Sequence, residues 1–152
     1  MTLPLPVDDI VEIGQLLARY GNIADTTDLD ALEQFFTADI VLVPQHADVA
    51  PLRGIGALRE AIGRLDKPSH NTTPPAISVD ADGTVRAWSR YLSFRTDGSI
   101  VEGEYLDVLV RTPAGWRVSF RRIVWRTPVL PQGLPTHDEY GPWLTSRTSF
   151  NR

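Results

Sequence analysis

The sequence predicts an α+β fold in which helices come first and a curved antiparallel β-sheet follows. Three observations carry this. Apolar residues recur at three- and four-residue steps in three segments of the first 65 positions, the period of amphipathic helices. After His70 the apolar period becomes two, the period of half-buried strands. Asp-Gly and Pro/Gly turns then break the chain at intervals that suit a meander. Helices segregated from an antiparallel sheet define the α+β class.

Residues 1–6 form an arm with two prolines. From Val7, the stripe Ile10, Ile13, Leu17, Tyr20 and Ala24 predicts a first helix, with Asp8 and Asp9 at its positive N-terminal end. The run Thr26, Thr27, Asp28 breaks it and caps a second helix carrying Leu29, Leu32, Phe35 and Phe36, so the two helices read as a hairpin. Residues 40–43 read as a short strand stopped by Pro44. Gly54 and Gly56 flank the start of a third helix with Ile55, Leu58, Ile62 and Leu65 in step, ended by Lys67, Pro68 and Ser69. Strands follow around Ile77 and Val79, from Thr84 to Arg95, from Ser99 to Thr112 and from Trp116 to Trp125. Their turns are Asp82-Gly83, Asp97-Gly98 and Pro113 to Gly115. Residues 127–152 lack clear periodicity and read as an extended tail, yet Tyr140, Trp143 and Phe150 make it too apolar to stand free. The expected division is a domain over 1–126 and an extension over 127–152 that packs on the body or on a neighbouring subunit.

With 152 residues, 42% of them hydrophobic and 22% charged, the chain has the size and composition of one ordinary globular domain. The net charge of −4 argues against a general nucleic-acid binder. No cysteine is present, which excludes disulfides, thiol nucleophiles and cysteine metal sites. No stretch reaches the roughly 20 apolar residues of a membrane span. The opening residues lack a basic region followed by an apolar run, so a cytoplasmic location is expected. No Gly-rich phosphate loop or Gly-x-Ser-x-Gly elbow occurs, and the aspartates at 25, 28 and 30 lack the glycine and distal glutamate of a calcium loop. Neither a metal nor an organic cofactor is expected. His46 and His137 fall in loops and carry no signal.

Several segments carry a family resemblance in their order and spacing. They are Leu16 to Tyr20, Asp25, Asp28 to Asp39, Gly54 before the third helix, Ser69 to Asn71, Gly103 to Asp107 and Gly115 to Arg122. Over residues 7–126 the chain resembles the SnoaL-like branch of the superfamily that includes ketosteroid isomerase and nuclear transport factor two. That resemblance implies a cone, or α+β barrel, in which a bent sheet wraps three helices around a deep apolar pocket. An aspartate at the end of helix one with a histidine just before the meander resembles scytalone dehydratase, bile-acid 7α-dehydratase and hexachlorocyclohexane dehydrochlorinase, eliminating lyases that use an Asp–His dyad. Asp25 and His70 are the matching positions, and Tyr20 matches the tyrosine of the bile-acid enzyme. The protonated acid of ketosteroid isomerase's oxyanion hole has no evident counterpart here.

The residue chemistry agrees with that implication. A neutral histidine is a suitable base near neutral pH, its ordinary pKa being about 6.5, and general-base action contributes about 10²–10⁴ in rate. A carboxylate on one ring nitrogen fixes the tautomer and stabilises the imidazolium. Asp25 is therefore expected to orient His70 Nδ1, leaving Nε2 for the substrate. The Tyr20 hydroxyl can donate to a carbonyl or a leaving oxygen, and an arginine of the last strand can stabilise an enolate. Period two places Trp116, Val118, Phe120 and Arg122 on one face and Arg117, Ser119 and Arg121 on the other. If the first face points inward, Arg122 is the better candidate, and a bulge reverses this. Trp88, Tyr91, Tyr105, Phe120 and Arg121 are the candidate substrate contacts.

Each residue also has a plainer reading. Asp25 fits a cap or turn residue, His70 a structural loop residue, Tyr20 plain core, and Asp107 with Arg121 a structural ion pair across strands. The function expected is a cofactor-independent lyase of dehydratase type acting on a mid-sized apolar oxygenated molecule, aromatic, polyketide-like, steroid-like or terpenoid. The same pocket running isomerisation or polyketide cyclisation is the alternative, and a small-ligand-binding module without chemistry is another. Ile123 and Trp125 are expected on the outer face of the meander, where a second copy would cover them, giving a homodimer or homotrimer.

Overall fold

In the computed structural model, residues 5–44, 48–66, 68–130 and 133–144 are described; His46, Lys67 and Phe150 lie outside them. Helix α1 (Val7–Thr26) follows the predicted stripe, burying Ile13, Leu17, Tyr20 and Ala24, with Asp8 and Asp9 in its first turn. It stops where Thr27 turns left-handed (φ 57°) and the N–H groups of Thr27 and Asp28 return to the carbonyls of Ala24 and Ile23.

The second helix is shorter than its apolar residues suggested. A 3-10 turn (Leu29–Ala31), capped by Asp28 Oδ1 accepting the Ala31 N–H, leads into α2 (Leu32–Phe35), and Phe36 already opens strand β1 (Phe36–Val43). Phe35 and Phe36 are both buried. Hydrophobicity told which side chains enter the core but not where helix becomes strand.

The remaining elements are β2 (Leu52–Arg53), α3 (Ile55–Gly63), β3 (Ser69–Thr72), β4 (Ala76–Val79), β5 (Val85–Phe94), β6 (Ile100–Thr112), β7 (Gly115–Thr127) and α4 (His137–Leu144). The sheet runs in the order β2-β1-β7-β6-β5-β3, with β4 also on β5. It departs from the expected antiparallel barrel in two ways. Strand β1 is parallel to β7, so the sheet is mixed, and β2 and β3 remain as its two ends, so it does not close. Periodicity reports which side chains face the core and is blind to strand direction. The path out of α2 sets the direction of β1.

Side chains of α1, α2 and α3 pack with the inner face of the curved sheet into one core. The outer face meets a helix that the sequence presented as an extended tail. Helix α4 lays Tyr140 and Trp143 against Leu106 and Val124, flanked by Trp88, Val108 and Phe120. Pro142 lies inside this helix, which hid it from a helical reading.

A bulge decides which face of β7 looks inward. Val108 pairs with Phe120 but Leu109 pairs with Val118, so Ser119 is an extra residue on β7. Trp116 and Val118 face the core before the bulge; beyond it the inward set is Arg121, Ile123 and Trp125. The expectation that Ile123 and Trp125 lie on the outer face is thereby corrected: both line the internal cavity.

Candidate functional site

A cavity of about 450 Å³ opens between the end of α1, the segment after α3, and strands β3, β5, β6 and β7. Its deep wall holds Tyr20, Tyr91, Tyr105, Ser93 and Val101, all buried, with half-buried His70, Ile123 and Trp125. Its rim is exposed and polar: Arg64, Asp66, Arg95, Thr96 and Asp97, with Leu65 and Pro68 beside them.

Asp25 sits in the last turn of α1, where the helix dipole disfavours a carboxylate. Two bonds from one residue offset that cost. Asp25 Oδ2 accepts the His70 main-chain N–H at 2.7 Å, and Asp25 Oδ1 lies 2.6 Å from His70 Nδ1. The carboxylate therefore fixes both the backbone and the ring of His70, and an ionised Asp25 places the Nδ1 proton between them. No described residue bonds Nε2, which leaves it to face the cavity. The histidine stands on strand β3 rather than in a loop, paired with Ser93 of β5.

Gly21 makes this approach possible. A Cβ there would lie 2.9 Å from the His70 carbonyl oxygen and 3.3 Å from His70 Cβ, so helix and strand touch at a glycine one turn before Asp25. Sequence reasoning gives Gly21 no role. A glycine inside the helix is no signal by itself, since Gly14 of the same helix has nothing within 4 Å of where its Cβ would lie.

Tyrosines surround the imidazole. The rings of Tyr20 and Tyr91 lie 6.3 and 6.2 Å from it, and Tyr91 stacks on Tyr105 at 4.4 Å. Gly103 leaves room for this stack, since a Cβ there would come within 2.6 Å of the Tyr91 ring. Burial pushes the phenols of Tyr20, Tyr91 and Tyr105 above their ordinary value, with Arg121 opposing it in each case. All three are protonated hydrogen-bond donors at neutral pH.

Behind Tyr20 and Tyr105 lies a buried ion pair. Arg121 and Asp107 are directly paired across β6 and β7, and both are fully buried. Nε and Nη2 of Arg121 donate to the two Asp107 oxygens, each at 2.7 Å. The guanidinium rests against the rings of both Tyr20 and Tyr105, 4.2 and 4.1 Å from their centres, in the corner these two perpendicular rings form. Burial works against the arginine's charge, but the Asp107 carboxylate holds it, and the Arg121 pKa lies above the ordinary arginine value. Nη1 has no hydrogen-bond partner among the described residues.

The structure thus brings together Asp25, His70, Tyr20, Tyr91 and Tyr105, with Arg121 directly behind. It does not bring in Arg122, Phe120 or Trp88. Arg122 is on the α4 side of the sheet, 2.7 Å from Glu139. Phe120 packs near Trp143 (6.3 Å) and Trp88 stacks on Tyr140 (5.3 Å). The Ser119 bulge is the reason for Arg122 and Phe120. Trp88 takes the outer side because β5 turns Ala87, Ser89 and Tyr91 inward. Among the described residues no three His, Asp or Glu side chains cluster as metal ligands. None of the described helices is long and apolar enough to cross a membrane.

Residues 6–122 match the SnoaL-like domain model. Solved structures share the fold along most of the chain. One is an NTF2-like protein with a cystatin-like fold from Novosphingobium aromaticivorans, 24% identical, covering 96% of this chain and 91% of its own, TM-score 0.70. Another is a single-substitution variant of Rv3472, a protein of unknown function from Mycobacterium tuberculosis, 26% identical, covering 97% and 96%, TM-score 0.68. A candidate scytalone dehydratase from Novosphingobium aromaticivorans is 18% identical, covering 86% and 94%, TM-score 0.67. No curated protein sequence matches the chain.

Proposed function

We propose, from the premise that this chain belongs to the SnoaL-like family, that it is a cofactor-independent lyase of dehydratase type acting on a mid-sized, largely apolar, oxygenated molecule. The observation that carries this reading is the pair of hydrogen bonds between His70 and Asp25 at the wall of a cavity lined by tyrosines. A volume of about 450 Å³ suits a ligand of two to three fused rings.

The step conserves every proton and electron pair with side chains alone. His70 Nε2 takes a proton from a carbon next to the substrate carbonyl, and the C–H electron pair becomes the new C=C bond. The neighbouring C–O bond breaks, its electrons leaving on oxygen. The imidazolium, held by Asp25, returns the proton to that oxygen, which departs as water. Tyr20 donates to the carbonyl oxygen as charge develops on it. Arg121 keeps a positive charge directly behind Tyr20 and Tyr105, favouring the same enolate-like charge.

The test is a panel of β-hydroxy ketones on aromatic and polycyclic frames, read by mass spectrometry for loss of water. Turnover by the native chain should fall about 10²–10⁴-fold in His70→Ala. Asp25→Asn should lose rate as well, because an amide offers His70 an alternative tautomer. Products of unchanged mass would favour isomerisation in the same pocket. Full activity in both variants would remove the dyad from the mechanism.

A further inference from the structure

The cavity's deep wall holds phenols and one imidazole, the acidic and basic side chains lie at its rim, and the rim charges are unequally committed. Arg64, the residue that follows α3, is drawn to Glu60 of that helix in an ion pair. Asp97 is turned into the β5–β6 hairpin, where its Oδ1 accepts the Ser99 N–H at 2.8 Å; that bond, helped by the weaker pull of the nearby Arg95 charge, holds its carboxyl below the ordinary value. Arg95 differs from both. Its guanidinium lies over the Trp125 ring, 4.8 Å from the ring centre, and takes part in no hydrogen bond or ion pair among the described residues. A stacked guanidinium keeps its in-plane N–H donors free while the ring limits its motion, an arrangement suited to bidentate recognition of a carboxylate.

Strand geometry sets the distance from this cation to the proposed base. His70 is opposite Ser93, and Arg95 lies two residues beyond Ser93, one past the end of β5. Two residues of rise combined with one inter-strand step separate the α-carbons by about 8 Å. A flat ring system resting on Trp125 and the Tyr91 wall spans that gap.

We propose that the cavity takes a planar, largely apolar molecule bearing a carboxylate, which Arg95 binds at the rim while Trp125 stacks on the ring. This rests on reading the cavity as the substrate site and adds the class of substrate. Asp66 is the opposing feature of the rim, an acidic residue with no side-chain partner among the described residues. It weakens anion binding and gives the proposal a second lever.

Three matched compounds test it by quenching of tryptophan fluorescence: 2-naphthoate, its methyl ester and 2-naphthylmethylamine. The native chain should bind the acid about fivefold to tenfold more tightly than the ester, an advantage that shrinks with added salt. Arg95→Gln should abolish the preference, Arg95→Lys should keep part of it, and Asp66→Asn should strengthen it. Equal binding of acid and ester by the native chain would overturn the proposal. So would a preference for the amine, or an acid preference that survives Arg95→Gln. Because no turnover is read, a lost dyad mechanism and a lost carboxylate preference show up in separate experiments.

Discussion

Removing the Arg121 guanidinium tests the most heavily buried electrostatic feature of the fold. Arg121 and Asp107 are both fully buried and joined by two bonds of 2.7 Å. In Arg121→Met the methionine fills part of the space against Tyr20 and Tyr105, and Asp107 is left as an unpaired buried carboxylate. Breaking such a pair from one side costs about 3–5 kcal/mol. For a chain of this length that lowers Tm by roughly 10 °C, a large share of a total stability of about 5–15 kcal/mol. The loss should depend on pH with a defined sign. Burial raises the Asp107 pKa, and without Arg121 nothing opposes it. A carboxyl whose folded pKa exceeds its unfolded value of about 3.9 favours folding at low pH and loses that advantage as pH rises through the folded pKa. Arg121→Met should therefore lie closer to the native chain at pH 5 than at pH 8, measured by urea unfolding monitored by circular dichroism. Replacing both partners, as in Asp107→Leu with Arg121→Met, should recover most of the stability, because two uncharged side chains need no pairing. A cost below about 1 kcal/mol at pH 8 for Arg121→Met would refute this account of the pair. A double variant as unstable as the single one would show that ring packing, not charge pairing, is what Arg121 supplies.

Two further predictions follow from geometry. Gly21→Ala gains about 1 kcal/mol of helix propensity but drives a Cβ to 2.9 Å from the His70 carbonyl oxygen. Overpacking of about 1–3 kcal/mol should outweigh the gain, so the variant melts lower, and the Asp25–His70 bonds lengthen in its crystal structure. A higher Tm with the bonds intact would contradict the close approach. All four tyrosines have raised pKa values, Tyr140 to about 12 through burial and its bond to Glu104. Each thus contributes stability below pH 10 that is lost as pH rises toward its folded value. Tyrosinate absorbance of the native chain should stay low at pH 10.5 and rise together with alkaline unfolding, whereas early titration of any phenol as a free one would contradict its burial.

Much of the candidate site was legible one residue at a time. Asp25 could be assigned to a helix end and His70 to the approach to the meander because apolar period and turn chemistry are local properties, recorded in neighbouring residues. Tyr20 and Tyr105 could be placed on core-facing positions for the same reason. The choice between Arg121 and Arg122 could not be made. It depends on Ser119 being one residue too many against β6, and a bulge is a mismatch between two strands that neither sequence segment contains alone. The same mismatch decided that Ile123 and Trp125 line a cavity rather than an outer surface. Trp88 and Phe120 were assigned to the substrate because nothing in their own segments announced a helix on the other side of the sheet.

From the sequence alone came the class of fold, the order of its elements up to β7 apart from the short β2 and β3, most of the core and the pair of residues with the chemistry of a base and its orienter. Tertiary structure alone decided the parallel β1–β7 pairing, the inward face of β7, the contact at Gly21 that brings α1 against β3, and the stacking of Arg95 on Trp125. The division has a physical cause. Periodicity and turn preference arise from a residue's own backbone and its nearest neighbours. Register, close approach and the shape of an enclosed space arise from segments far apart in the chain, and take a value only once those segments meet.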